Sequence, residues 1–303
     1  MQSGTSSLSS LGPLRHWRDV QSLAYLAAQP ALMAWQWHHG FQPALFLLTL
    51  FLAVGISVIH HNHAHLPLWR QRGLNRATDL CLTGLQGQPT CVFQLAHNAN
   101  HHRYRHGPDD VTRTWRFGDS NHFPGWLWHP LQATAVVYPF MWQSLREMKL
   151  RAPAAYRWCR WQYLIWTGLW ALLLIADPRK ALVLVIVPQL VGLHWLLGAN
   201  YLQHAHANDA SRMDYARNFE GLINPLLFNI GLHTAHHEHG RAHWSELPAL
   251  HRRYRALIDP RLVERSFAAY VLRTFVFGTI HPRYRSDSLR SGPDAGASGY
   301  KDS

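Results

Sequence analysis

The chain has 303 residues, a formal net charge of +12, and 12% aromatic residues that include 14 Trp. That length admits one large domain or two ordinary ones, and such Trp usage suits a protein with a membrane–water interface. The basic residues flank apolar segments instead of forming a stripe, and no zinc-finger or RNP-like pattern accompanies them. Nucleic acid is therefore excluded as a partner in favour of an anionic leaflet or an acidic protein.

Residues 1–19 form an N-terminal segment. Its Ser/Gly-rich start, Met1 to Gly12, has no basic stretch followed by an apolar run, so it does not read as a signal peptide. Val20 to Trp37 is moderately apolar, His38-His39-Gly40 is a short gap, and Phe41 to Ile59 is apolar almost throughout. Leu80 to Ala96 and Trp126 to Trp142 are interrupted by Gly, Gln and Pro, and are expected as helices lying at the interface. Trp161 to Ala176 and Ala181 to Ala199 make a second apolar pair around Asp177-Pro178-Arg179-Lys180. Crossing the hydrocarbon core takes about 20 residues, so each pair reads as a transmembrane hairpin. The three cysteines, Cys81, Cys91 and Cys159, lie in no C-x-x-C pair, and no disulfide framework or zinc ribbon is expected. Ser286 to Ser303, rich in Ser and Gly, is expected to be a disordered tail.

The expected fold is thus an all-α membrane protein. Four transmembrane helices in two hairpins lie within one membrane domain, residues 20–285. If both hairpin turns face outward, only Arg179 and Lys180 of the 29 Lys+Arg lie outside, which is a strong positive-inside bias. The termini and a histidine-rich helical cap are then cytoplasmic.

Most of the chemistry resides in histidine, of which there are 23 against 17 Asp+Glu. His61 and His65 stand one helical turn apart, so both can reach one metal, and His60 could replace His61 on a slightly rotated helix. In His97-Asn-Ala-Asn-His101-His102 and His233-Thr-Ala-His236-His237 each box ends in an adjacent pair. Neighbours on an α-helix point about 100° apart, so each pair reaches two different points, and two metal ions are the natural solution. Isolated histidines such as His106 and His129 read as ordinary surface or core residues. His239, His243 and His251 read as supporting residues near the third box. No Glu-x-x-His pair is present, which excludes the soluble ferritin-like di-iron design.

These boxes resemble those of the integral-membrane fatty acid desaturase/hydroxylase superfamily, in a bacterial-type acyl desaturase form. The contexts Arg103-Tyr104 and Gly107-Pro108-Asp109-Asp110 after box two, and Trp244 and Leu247-Pro248-Ala249-Leu250-His251 after box three, carry the likeness further. So does Asn200-Tyr-Leu-Gln-His204 at the end of the fourth span. The resemblance covers roughly His60 to His251. It implies nine histidine ligands, namely His61, His65, His97, His101, His102, His204, His233, His236 and His237, with Asn200 acting through a bound water. It also implies two non-haem Fe ions and an acyl-chain substrate carried on a lipid, on CoA or on an acyl carrier protein. The activity implied is O₂-dependent desaturation in a bacterial inner membrane. A hydroxylase, acetylenase or carotenoid-type oxygenase would share the same irons. A non-catalytic metal-binding or transport protein would instead want ligands within the spans, where only His194 is placed. Since there is no cytochrome b5 motif and no cysteine pattern for an iron–sulfur cluster, the electron donor is expected to be a separate protein.

Overall fold

The computed structural model describes residues 12–290. Contacts divide the chain into two units, one from residues up to Gln94 together with Ser144–Trp195, the other from Leu95–Gln143 and from Leu196 onward.

In the first unit, the segment before the helices is tied down. Leu14 bridges Trp69 in antiparallel fashion, and Arg15 N–H donates to Leu68 O at 2.8 Å. Helices α1 (Val20–His39) and α2 (Pro43–His65) form the first expected hairpin. Its turn depends on Gly40, whose φ of 91° favours a residue without a side chain. Buried Gln36 secures the turn: its carbonyl accepts from Gly40 N–H at 2.9 Å and its Oε1 from Gln42 N–H at 3.3 Å. Pro43 at the first position of α2 has the fixed φ that a helix start wants.

Helix α3 (Arg72–Gln86) ends at Gly87, which is left-handed at φ 70°. Gly87-Gln88-Pro89 separates it from the short α4 (Thr90–Phe93), so the Leu80–Ala96 stretch is broken in the middle. Gln94–His101 continues α4 as a π-helix and passes into α5 (His102–Tyr104). The stretch Trp126–Trp142, by contrast, is part of one 29-residue helix, α6 (Phe123–Arg151). Pro130 and Pro139 lie inside it without ending it.

The second expected hairpin consists of α7 (Pro153–Ala176), a turn at Asp177, α8 (Pro178–Lys180), a π-helical stretch Ala181–Ile186 and α9 (Val187–His204). Asp177 accepts from Lys180 N–H at 3.0 Å and so starts the returning helix. All four expected spans are therefore helical. Among the described residues, Pro43–His65 and Pro178–His204 are the two helices long and apolar enough to cross a membrane. Helices α1 and α7 carry more polar residues, among them Gln29, Gln36, Arg157 and Arg160.

Polar side chains join these helices where apolar packing alone would leave register open. Ser57 Oγ donates to Gly192 O at 2.8 Å, and a Cβ at residue 192 would press on Ala53 O and Ser57 Oγ at 3.0 Å. Gln189 donates to Gly84 O at 2.7 Å and accepts from Trp170 Nε1 at 2.8 Å. Gln162 Oε1 gathers Thr83, Thr90 and the Cys91 N–H at 3.1–3.4 Å. Cys91 and Cys159 form a disulfide, which corrects the expectation drawn from cysteine spacing. The two residues are 68 apart in sequence and meet only because α4 packs against α7.

The second unit holds α5, most of α6, the end of α9 and everything that follows. The all-α expectation departs from the structure in a two-stranded parallel sheet, β1 (Asn218–Phe219) on β2 (Val263–Glu264). Around it stand α10 (Ile223–Leu226), α11 (His233–Glu238), α12 (Leu247–Tyr254) and α13 (Phe267–Val271). Helix α13 continues through a π-helical stretch Leu272–Phe277 into α14 (Gly278–Ile280). Within the expected tail, Ser286 Oγ meets Asn121 Nδ2 at 2.7 Å, Leu289 N–H donates to His206 O at 3.0 Å, and Arg290 pairs with Asp209 at 3.1 Å. The rest of the tail, residues 291–303, lies outside the described residues, as does most of the segment from Met1 to Gly12.

If Gln189 fixes register between α3, α7 and α9, Gln189→Leu should strip two hydrogen bonds and leave the Gly84 carbonyl without its side-chain partner. Interhelical bonds in membranes average about 0.6 kcal/mol and reach about 1.7, so the expected loss is about 1–2 kcal/mol. It would be read as a lower unfolding midpoint of the detergent-solubilised protein. An unchanged midpoint would mean that apolar packing alone sets this register.

Candidate metal centre

In the first unit, His61 and His65 occupy the last turn of α2, one above the other, with ring centroids 5.1 Å apart. His60 is fully buried against Phe93 at 5.0 Å. The remaining box histidines belong to the second unit.

The π-helix explains the second box. On an α-helix, residues five apart diverge by about 140°. Widening the winding to i→i+5 bonds lets positions i+4 and i+5 flank the direction of i. His101 and His102 therefore stand on either side of His97, with ring centroids 5.2 and 4.7 Å from it. His102 Nε2 lies 3.1 Å from His97 Nε2. The adjacent pair diverges as expected, and the π-winding adds that both rings are turned towards His97. His101 and His102 still point apart, with planes at 87°, but both reach the same region as His97.

The third box sits on α11, whose six residues place His233, His236 and His237 at i, i+3 and i+4 on one face. Its start is held by Asn218, which accepts from Thr234 N–H at 3.0 Å and donates to Thr234 Oγ1 at 2.8 Å. His204 closes α9. His101, His204, His233 and His237 are all buried, and each offers one nitrogen within 4.8 Å of the others. Nε2–Nε2 separations are 3.0 Å for His204 and His233, and 3.1 Å for His237 and His233. His236 Nε2 approaches His102 Nε2 at 3.2 Å, and His102 stacks on His237 at 4.2 Å.

The tautomers can be read from the other ring nitrogens. His204 Nδ1–H donates to Tyr215 O at 2.8 Å, and a carbonyl can only accept. His101 Nδ1–H donates to Asp110 Oδ2 at 2.6 Å, and its Nε2 is buried with no hydrogen-bond partner. In neutral rings both Nε2 atoms are therefore lone pairs turned inward. His233 Nε2 faces two neighbours and has at most one proton to give. Such a set is able to hold a cation at its centre. Nitrogens about 3 Å apart match imidazoles held at bonds of about 2.1 Å to one ion, and a second group that fixes each Nδ1–H is the usual companion of a metal-binding histidine.

Burial keeps the His237 ring in the binding form. His237 is pushed well below the ordinary histidine range, first by desolvation and then by His102, His233, His101 and His204 around it. Neutral imidazole is what a metal takes.

Several contributors are not among the residues expected at the site. Asp110 is fully buried, and accepts from His101 Nδ1, from His106 N–H at 2.9 Å, and from Thr112 N–H and Oγ1 at 2.8 Å. Burial opposes its charge, yet the His101 ring beside it and these donors hold the carboxyl far below its usual range. His106, an ordinary histidine by its sequence context, is fully buried, stacked on His204 at 4.8 Å and bonded to Thr114 Oγ1 at 2.8 Å. Tyr215 packs against His237 at 5.5 Å, and its hydroxyl donates to Glu238, which also pairs with Arg105 at 3.1 Å. Spacing carries no signal for these three residues.

Asn200 lies one turn before His204, and its amide donates to Thr112 O at 2.8 Å, on the same loop that carries Asp110. His239 bonds Tyr254, His243 bonds Ser245 and His251 bonds Glu220. None of these three belongs to the four-histidine set.

Compared with known proteins, the chain finds no match among curated ones. The sequence model of the family described as Fatty acid desaturase matches residues 35–269, a stretch that contains all three boxes and His204. With well over half of its length matched and its clustered imidazoles suited to the iron that this family uses, the chain belongs to the fatty acid desaturase family.

Proposed function

We propose that this chain is a membrane-bound, O₂-dependent fatty acyl desaturase with a non-haem di-iron centre. The observation that carries the reading is the buried four-imidazole set with its inward lone pairs. The proposed ligands are His61, His65, His97, His101, His102, His204, His233, His236 and His237, with Asn200 acting through a bound water. Two bound irons would supply O₂ reduction by four electrons, half from the acyl chain and half from a separate donor protein. The protein's own part is positional. Asp110 and the Tyr215 carbonyl hold His101 and His204 in one tautomer and orientation, and the π-helix turns three histidines inward. The substrate is a fatty acyl chain on a lipid, on CoA or on an acyl carrier protein. An apolar tunnel that positions one methylene at the centre would choose the carbon.

The proposed topology has four spans and a cytoplasmic cap in a bacterial inner membrane, supported by the two membrane-length helices and the one-sided basic residues.

Three experiments test this reading. The deciding one is acyl-product mass spectrometry of cells with and without the protein: a new double bond is expected, whereas a hydroxyl product would assign the hydroxylase branch instead. Iron content tests the site. His101→Ala and His237→Ala should lose iron and activity, while Asp110→Ala should weaken iron binding by about 10–100-fold through the freed His101 ring. Full iron retention by all three would refute the centre. For topology, single cysteines at Gly40 and Arg179 should label from outside intact cells, and those at Gly107 and Gly240 only after lysis. The background must carry Cys81→Ser, because Cys81 is an exposed free thiol. External labelling at Gly107 or Gly240 would overturn the cytoplasmic cap.

A further inference from the structure

Beyond the histidines, the second unit contains a cleft of about 350 Å³ where the loop after α12, β2 and the segment after α14 meet. Five guanidiniums line it, those of Arg217, Arg261, Arg273, Arg283 and Arg285, against the carboxylates of Glu264 and Asp287.

Those arginines differ in how far their charge is already used. Arg273 pairs with Glu264 at 2.6 Å, and Arg261 clamps Asp259. Arg217 is 2% exposed, donates to Arg261 O at 3.0 Å and Ala205 O at 3.2 Å, and lies over the Tyr270 ring at 4.9 Å. It also pairs with Glu264 at 3.7 Å, so its charge is already used, and its Nε is buried with no hydrogen-bond partner. Arg283 and Arg285 are exposed and pair with no carboxylate among the described residues. Arg283 bonds the Tyr284 hydroxyl, and Arg285 Nε donates to Gly278 O at 3.0 Å. Concentrated arginine with spare donors is the usual setting for a phosphate.

The surface beside the cleft is apolar. Leu272, Val276, Phe277 and Ile280 stand exposed along the helix that runs from Phe267 to Ile280. Phe277 meets Tyr284, next to Arg283, at 5.6 Å, so ridge and basic wall are continuous. A basic cleft bordered by an exposed apolar ridge matches an amphiphile with an anionic head, as in helices that lie in the membrane interface.

We propose that this cleft seats the phosphate of an anionic phospholipid headgroup, with the acyl tails along Leu272, Val276, Phe277 and Ile280. The seat is separate from the histidine site and does not depend on the desaturase reading. A soluble phosphate carrier would use the arginines but leave the ridge exposed, and the test separates the two.

The full-length protein, purified in neutral detergent, would be titrated with fluorescent phosphatidylglycerol and phosphatidylcholine. Phosphatidylglycerol should bind more tightly, and Arg283→Gln with Arg285→Gln should weaken it by roughly tenfold or more, the scale of two basic residues at an anionic surface. Arg252→Gln with Arg253→Gln removes the same charge from exposed positions on α12, and should change binding less than about twofold on the same scale. Millimolar coenzyme A should not displace the lipid. Unfolding midpoints and iron content of both variants are measured alongside, so that a binding loss is separated from misfolding or a damaged metal site. Equal weakening by both pairs, displacement by coenzyme A, or equal affinity for the two lipids would each overturn the seat.

Discussion

The hydrogen bond from His101 Nδ1–H to Asp110 is the constraint on which the site depends. A free imidazole rotates about its side-chain bonds and exchanges tautomers, so a cluster of rings is not yet a binding site. Asp110 removes both freedoms at once, and the Tyr215 carbonyl does the same for His204. The carboxylate is itself held by backbone N–H groups of His106 and Thr112. The loop after α5 therefore folds around the same group that orients His101. Arg105 and His106 adopt left-handed backbone at φ 44° and 70° at the start of that loop. Strain of this kind persists where surrounding bonds over-determine it, and here two of those bonds go to Asp110 and Thr114.

The helix types around the boxes follow from the same need. A box of six residues ending in an adjacent pair cannot place three rings near one point on an α-helix, but it can on a π-helix. Box three solves the problem differently. Its helix is only six residues long, yet His233, His236 and His237 share a face under ordinary winding, and Asn218 in β1 pins the helix start. A small sheet thus finds a place in a mostly helical chain because it holds one end of the helix that carries the third box.

The parts of this structure that are legible in the sequence are those with a local period. The four apolar stretches are helices because each buries its backbone in its own hydrogen bonds, and the turns at Gly40 and Asp177 carry their own chemistry. The boxes are legible because histidine repeated at helical spacing brings several imidazoles to one place, and little besides a metal makes use of that. Asp110, His106 and Tyr215 escape a reading by spacing because their roles arise from contacts made by a folded loop. The Cys91–Cys159 bridge escapes it for the same reason. Trp126 to Trp142 is expected as a helix and is one, but its length is not legible, because α6 carries on through both Pro130 and Pro139 to 29 residues.

The chain is strongly basic, and acids are scarce in it, yet one of them is fully buried beside the histidines. A lone carboxylate in such a place costs several kcal/mol unless hydrogen bonds or a nearby cation compensate it. Donors from His101, His106 and Thr112 supply part of that compensation. Neutral imidazoles, for their part, bind a divalent ion without neutralising its charge, so a cation held by them leaves an uncompensated positive centre in a buried site. Asp110, hydrogen-bonded to the His101 ring, is placed to balance such a charge, and a cation there would in turn stabilise the carboxylate. The buried acid and the cluster of neutral rings are then two halves of one electrostatic arrangement.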